Sequence, residues 1–537
     1  MKILNLKMSK RIKGSITVFM TFIFVIIFGL ILALFENTRI ISSAGYIKNA
    51  AFTAERALFG DYNRELFEEY GLFGYGGYNG MNYTDMCNDF KDIVEKNIAV
   101  KPKNAKLSYT DIYKIKEVDV KVKNWEGLAD GDNLHRQIKE CLINEAIADM
   151  SDKLKNKYSE SKECDKVEIY EKLDEGDSYE TGKYKEKYDN EYNEGSKETE
   201  DELKESNNMY KDVGNPLEVF KELVEDGYLS LVCDSRQLSE EKIEKASLSE
   251  DNREAYVPVE KYESAGSFLK DIFLKADELK FEAGVQEGDG KYKLENIVYA
   301  NKKFSSYIDG GNKAVDYGME YLICGNENEK ENLAGIVKRI IATRMLINFS
   351  LISKDKIINS KALATATAIA GVTGIEPVIK GVQYVILAIL AFEESCVDTA
   401  ALLDGRQLPL IKKVSDIKVK YEEICLVSGE IFQDKAKEYK KSDKKITSGY
   451  IDYSEYLFCF ATIVPAEKIR TRMFDVIQCD LRKRFNKSFR IYDCIVAADY
   501  SVTYNMNFIF PFLWNIYGKD LKYKKFKKQV NVSYGYE

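Results

Sequence analysis

Between Ser15 and Phe35 the chain reads SITVFMTFIFVIIFGLILALF, twenty-one residues without a charge. At about 1.5 Å per residue, a helix of that length reaches roughly 31 Å, the thickness of a bilayer's hydrocarbon core. A helix buried in a soluble core is seldom apolar on every face for so long. The run predicts one membrane-spanning helix with ends at Ser15 and Phe35, and so makes the lipid bilayer the first partner. Residues 1–14 carry Lys2, Lys7, Lys10, Arg11 and Lys13 and no acid, whereas Glu36 and Arg39 mark the exit from lipid. A basic flank ahead of the span predicts a cytoplasmic N-terminus and an extracytoplasmic body.

Three fates of this segment differ in their sequence requirements. A cleaved secretory signal has an apolar core of roughly 7–15 residues and a small-residue site directly after it. Here the core is longer, and Ser42-Ser43-Ala44 lies well beyond it. A pilin-type leader is cut after a glycine that follows a basic residue. Lys13-Gly14-Ser15 has that form, which makes Gly14-Ser15 the candidate processing site, but Phe19 stands where such precursors usually carry glutamate. An uncleaved signal anchor needs nothing further and is the reading favoured.

Helical spacing continues past the membrane. Ile40, Ala44, Ile47, Ala51, Ala54 and Leu58 recur every three or four residues, Gly60-Asp61 interrupts them, and NRELFEEY (Asn63 to Tyr70) follows as a short helix. Residues 36–70 therefore read as a helical stalk. Its stripe is expected to pack on the chain's own outer body rather than on neighbouring subunits. The glycine-rich Gly71 to Gly80 reads as a loop.

Residues 71–150 read as an α+β segment. Met86, Phe90, Ile93, Val94 and Ile98 have helical spacing. From Leu107 to Lys123 the period becomes two, with a one-residue slip near Lys116-Glu117 that suggests a bulge. Leu134 to Leu154 returns to a helical period. It carries the chain's one histidine, His135, read as a surface residue.

Composition then shifts. Residues 151–212 hold 20 acids against 12 lysines, an excess equal to the net charge of −8 of all 537 residues. So polar a stretch buries too little surface to offset the entropy of ordering it, and reads as a charged linker or insertion. Past Asn215-Pro216, residues 213–537 read as an α+β extracytoplasmic domain. Gly227 to Cys233 looks extended, Phe268 to Leu279 helical, and the region from about 314 to 485 mainly helical. Ala362 to Ile375 and Val378 to Phe392 are apolar but too short to span, so two packed soluble helices are expected. Phe489, Ile491, Asp493 and Ile495 alternate and Tyr500 to Phe510 is rich in aromatic and β-branched residues, so two antiparallel strands are expected, with Asn505 marking a turn or an irregularity, followed by a solvated lysine-rich exit, Lys519 to Lys528. The fold class expected is α+β: one transmembrane helix continuing as a stalk, then a mainly helical body with antiparallel strands.

An acidic balance argues against nucleic acid as a partner, because phosphate contact needs a basic footprint. A single histidine disfavours imidazole-based catalysis and metal binding. The ten cysteines form no C-x-x-C pair, which disfavours zinc ribbons, thioredoxin-type redox and iron–sulfur ligation. Buried free thiols are expected. The glycines of Glu282 to Lys293 lack the G-K-[ST] of a phosphate loop. No catalytic residue, cofactor or metal ligand is assigned.

Several stretches together carry a resemblance. They are GSITVF from Gly14, DYNRELFEEYGLF (Asp61 to Phe73), EYLICGNENEKENL (Glu320 to Leu333), IKGVQYVILAILAFEESCVDTAALLDGRQLPLIK (Ile379 to Lys412), DYSEYLFCF (Asp452 to Phe460) and RMFDVIQ from Arg472. The chain resembles a family of membrane proteins of unknown function from Gram-positive bacteria. Its members are typically encoded beside tight-adherence (Tad, Flp-type) pilus genes, and their N-termini resemble TadE- and TadG-like minor pseudopilins. The resemblance covers nearly everything except the charged stretch. It implies a structural or accessory role in a surface pilus or secretion assembly, with other Tad-like proteins as partners, and transfers no catalytic residue. Two other classes stay open at this level: an envelope-facing binding module or adhesin, and, ranked last, a hydrolase using paired carboxylates.

Overall fold

The computed structural model describes residues 12–77, 83–98, 112–113, 115–130, 132–142, 170–176, 215–224, 227–234, 238–246, 264–278, 292–310, 313–410, 412–424, 428–441, 449–510 and 525–536. It is mostly helical with antiparallel strands. The chain divides into two compact units, residues 1–137 with 488–537, and residues 138–487.

The first unit is built on α1 (Ile12–Gly60), one unbroken helix of 49 residues. Its apolar first part is exposed, Phe22 at 66% and Ile26 at 68%. Among the described residues it is the one helix long and apolar enough to cross a membrane. From Glu36 onward the character changes, because every third or fourth residue goes inward: Ile40, Ile47, Ala51, Ala54 and Leu58 are buried, and Ala44 is half-buried. Asn63 then caps α2 (Arg64–Tyr70), its Oδ1 accepting the Leu66 amide at 2.8 Å, and Gly71 ends it at φ 69°. That left-handed geometry costs glycine little and explains the D-Y-N-R-E-L-F-E-E-Y-G order.

The sheet consists of β1 (Tyr75–Gly76), β2 (Ile115–Gly127), β3 (Cys494–Asn507) and β4 (Lys525–Gly535). β3 pairs antiparallel with the other three. Its inward residues Tyr500, Val502, Tyr504 and Met506 meet the buried stripe of α1 together with Met86, Phe90 and Val94 of α3 (Tyr83–Ile98). The alternating strand pattern supplies the sheet's apolar face and the 3.6-residue pattern supplies the helix stripe, so each buries the other. The α1 stripe is thus covered within the chain. A register shift between Ile115 and Glu117 places the bulge where the period slips.

Four local expectations need correction. Asn505 marks no turn: it sits mid-ladder between Glu117 and Lys527 and donates to Glu117 Oε2 at 2.6 Å. The second strand is β4, whose inward Phe526, Val530 and Val532 were hidden among lysines, so Lys525 to Lys528 form a strand rather than a loose exit. Residues 519–524 lie outside the described residues. Gly227 to Cys233 is helical over Tyr228–Val232, since a short apolar run carries no decisive period. His135 is buried, 9% exposed, because it falls on the inner side of α4 (Asn133–Leu142).

The second unit is a helical assembly: α5 (Pro216–Val224), α6 (Tyr228–Val232), α7 (Ala265–Glu278), α8 (Lys293–Lys303), α9 (Gly318–Cys324), α10 (Glu329–Ile352), α11 (Lys356–Ala370), α12 (Glu376–Leu403), α13 (Gly429–Ala436), α14 (Tyr453–Ala461) and α15 (Ala466–Arg484). A two-residue ladder joins Leu408–Pro409 to Tyr450–Ile451. Residues Ala362 to Phe392 form two packed helices, α11 and α12, and α12 is buried at every position from Val385 to Leu403. Part of the charged stretch is ordered: residues 170–176 are helical, Leu173 is fully buried, and a Cβ on Gly381 would stand 2.5 Å from the Gly176 nitrogen. The rest of 151–212 and the loop from Glu282 fall outside the described residues, as does most of Leu107 to Tyr113.

Candidate functional site: a buried charge network

An apolar helix interior is an expensive place for a carboxylate unless partners surround it. α12 contains three acids in its buried half, Glu393, Glu394 and Asp398, and α10 contributes Arg344 from an otherwise apolar turn. With Lys412, on the segment after α12, four of these charges meet. Arg344, Asp398, Glu394 and Lys412 all have fully buried side chains.

Asp398 is the centre. Its Oδ2 accepts from Arg344 Nε at 2.8 Å and from Asn348 Nδ2 at 3.1 Å. Its Oδ1 accepts from Tyr439 at 3.1 Å and stands 2.5 Å from Lys412 Nζ. Burial alone would raise this carboxyl, but Arg344 and Lys412 outweigh it and hold it down at about 2. Lys412 also pairs with Glu394, whose Oε2 accepts the amides of Lys418 and Val419 at 2.9 Å each. Arg344 Nη1 reaches the carbonyls of Pro409 and Leu410 at 3.2 and 3.4 Å. Two cations thus face two carboxylates. Glu393, on the same helix, is raised well above the usual carboxylate range by burial and by the neighbouring Glu394 and Glu423.

A second set joins the helices around α9. Glu320 accepts from the Tyr453 hydroxyl at 2.7 Å and the Tyr307 amide at 2.9 Å, and burial lifts it to about 7. Arg472 of α15 donates to the carbonyls of Leu322 and Ile323 at 3.0 and 2.8 Å, satisfying groups a helix end leaves open. In EYLICGNENEKENL, Asn332 accepts the Asn326 amide and donates back to the Asn326 carbonyl, each at 2.9 Å, and Asn328 caps α10.

In the first unit one carboxyl has no such support. Glu55 of α1 is fully buried in the helix–sheet core, and neither of its oxygens has a hydrogen-bond partner among the described residues. Burial, then the charge of Asp499, lift it to about 7. The Tyr500 hydroxyl beside it is likewise unpartnered.

These arrangements hold elements together. Each charge of the α12 network has an opposite charge as partner and is buried, and Arg344 and Glu394 are also tied to backbone at Pro409, Leu410, Lys418 and Val419, so the network holds α10, α12 and the segments at those residues in one register. Among the described residues no group of three or more His, Cys, Asp or Glu is placed to hold a metal ion. The eight described cysteines are free thiols, five of them buried. Burial holds the Cys396 and Cys494 thiols well up in pKa, which suits packing rather than nucleophilic chemistry. The residues singled out in sequence, Gly14, Ser15 and Phe35, all lie on α1, in the first unit. Sequence reading missed the α12 network, although acids four apart inside an apolar run were its available signal.

Residues 205–506 match the model of a family of unknown function, DUF5702. The chain belongs to that family. The matched segment contains the whole α12 network and most of β3. Comparison with curated proteins finds no match, and comparison with solved structures finds none either.

Proposed function

We propose that the protein is a membrane-anchored structural or accessory component of a Tad-like pilus or secretion assembly, with its N-terminus cytoplasmic and the chain beyond Phe35 extracytoplasmic. The observation that carries the proposal is α1. Its first part is apolar and largely exposed, and its second part is buried against an antiparallel sheet, so the anchor and the helix that carries the sheet are one continuous element. An element of that kind transmits force or position across a membrane surface without a hinge. The basic residues before Ser15 support the orientation. The resemblance of GSITVF and the later stretches to proteins encoded beside tight-adherence loci supports the assembly. The mutually neutralised charges of the second unit support a scaffold role over catalysis.

Deleting the gene in a piliated host tests this directly. Loss of pilus assembly, restored by the full chain, supports the proposal. Normal pili with lost attachment point instead to an adhesin, and normal pili with normal attachment reject both. Co-purification from detergent with pilus-platform proteins is the second expected outcome.

A further inference from the structure

Two segments far apart in sequence converge where α1 leaves its apolar stretch. Arg39 Nη1 donates to the carbonyls of Ile112 and Tyr113 at 3.0 and 2.9 Å, and Arg39 Nη2 donates to the Asn507 carbonyl at 2.7 Å. Glu36, paired with Arg39, accepts the Ile509 amide at 3.3 Å. Phe510 meets Phe35 edge-on, with ring centroids 6.1 Å apart. The Glu36–Arg39 pair is buried under these contacts. Phe510 therefore stands level with Phe35, the last residue of the uncharged run, Ile509 reaches Glu36, and Ile112 and Phe508 stand about one turn of α1 or less beyond it.

Their chemistry fits that level. Ile112 is 55% exposed and Phe35 52% exposed, while Phe508, Ile509 and Phe510 are half-buried. In sequence, no charge occurs between Asp499 and Lys519. Lys527 and Lys528 lie opposite Asn505 and Tyr504, two and three residues back from the end of β3 at Asn507. At about 3.4 Å per residue this sets them roughly 7–10 Å farther from the span. An apolar, aromatic rim bordered by the lysines of β4, with Lys525 opposite Asn507 at the rim and Glu117 of β2 bonded to Asn505 beside Lys527, matches the hydrocarbon edge and the headgroups of one leaflet.

We propose that Ile112 and Phe508 to Phe510 form a second membrane contact, seated at the hydrocarbon–headgroup boundary of the leaflet through which α1 exits. The contact fixes the sheet of the first unit against the bilayer, so that α1 cannot rotate or slide in lipid independently of it. It rests on the reading of Ser15 to Phe35 as a membrane span.

The test uses the full chain in vesicles of mixed zwitterionic and anionic phospholipid. Trp125 and Trp514 are replaced by phenylalanine, and one tryptophan is introduced per variant: Ile26→Trp, Ile112→Trp or Phe510→Trp. Lipids brominated near the headgroup or near the chain end then report depth by quenching. Ile26→Trp is expected to respond most to deep bromines. Phe510→Trp and Ile112→Trp are expected to respond most to shallow bromines, with blue-shifted emission. Quenching of Ile26→Trp without quenching of the other two overturns the second contact and leaves the span intact. No quenching in any variant removes the span and the inference with it. Ile112 is already more than half exposed, so that substitution keeps the test valid should Phe510→Trp disturb the fold.

Discussion

Two helices of this protein are long and strongly apolar, and they solve opposite problems. The first part of α1 has no charge from Ser15 to Phe35 and is largely exposed, meeting Phe510 at its last residue, Phe35. α12 is 28 residues long, carries three acids in its apolar half, and has every side chain from Val385 to Leu403 buried. Apolar length alone does not separate a membrane span from a core helix. The separating feature is what becomes of the polar groups: α1 excludes them, whereas α12 admits Glu394 and Asp398 because Arg344 and Lys412 meet them. The same rule operates within α1, where Glu36 and Arg39 appear only once the sheet is there to receive them.

The comparison is broken most forcefully at Asp398. Asp398→Ala leaves Arg344 and Lys412 buried without their shared partner and should cost about 3–5 kcal/mol of second-unit stability. Denaturation followed by far-UV circular dichroism measures this, because that unit is the helix-rich one. Replacing Arg344 and Asp398 together by methionine and leucine should recover much of the loss. If the double variant is as damaged as the single one, the charges do more than neutralise one another.

Ile26→Arg is the mirror experiment. A cation near the middle of the span should cost about 3 kcal/mol of insertion and lower the fraction retained in alkaline-washed membranes. The denaturation midpoint of the second unit should not move. A shift of that midpoint would mean the exposed part of α1 is a core element after all.

Glu55 sharpens the contrast, as a carboxyl admitted to a core without a partner. Its raised pKa means the folded unit keeps a proton that the unfolded chain gives up near its ordinary value of about 4.3. The stability this group contributes is complete below that value and is lost as pH rises through about 7. Between pH 5 and 8 the first unit should lose on the order of 2 kcal/mol from this group, and Glu55→Gln should lack that component. Tyr500 faces the group from β3, while Asp499, on the sheet's outer face beside Asn124, acts on it through charge alone, so an Asp499→Asn control separates that charge from burial. Trp125 lies on β2 of the first unit, so its fluorescence in a Trp514→Phe background follows that unit.

The smallest expected effect is at a cap. Asn328 Oδ1 accepts the Lys330 amide at 2.8 Å at the start of α10, and Asn328→Ala should cost about 1 kcal/mol in the second unit. A loss as large as that of Asp398→Ala would show that the α9–α10 turn, not the α12 network, carries the register.

What was legible in sequence follows from range. The uncharged helical run of α1, the end of α1 at Gly60, the helix over Tyr83–Ile98 and the bulge before Glu117 are all set by neighbours within a turn or a strand, and local spacing exposes them. The partner of β3 was hidden because Lys525, Lys527 and Lys528 mask the alternation of Phe526, Val530 and Val532. The charge network was hidden because Arg344 and Lys412 lie 54 and 14 positions from Asp398, and nothing local pairs them. His135 was misplaced for the same reason, since burial of one face of α4 is decided by distant packing.

The account depends on α1 holding both units on the far side of a membrane, and protease accessibility in wall-stripped, intact cells tests this most directly. Protease added outside should digest the units while a protected N-terminal fragment stays with the membrane pellet. A chain that resists digestion until the cells are lysed, or that leaves with the soluble fraction, would contradict the account.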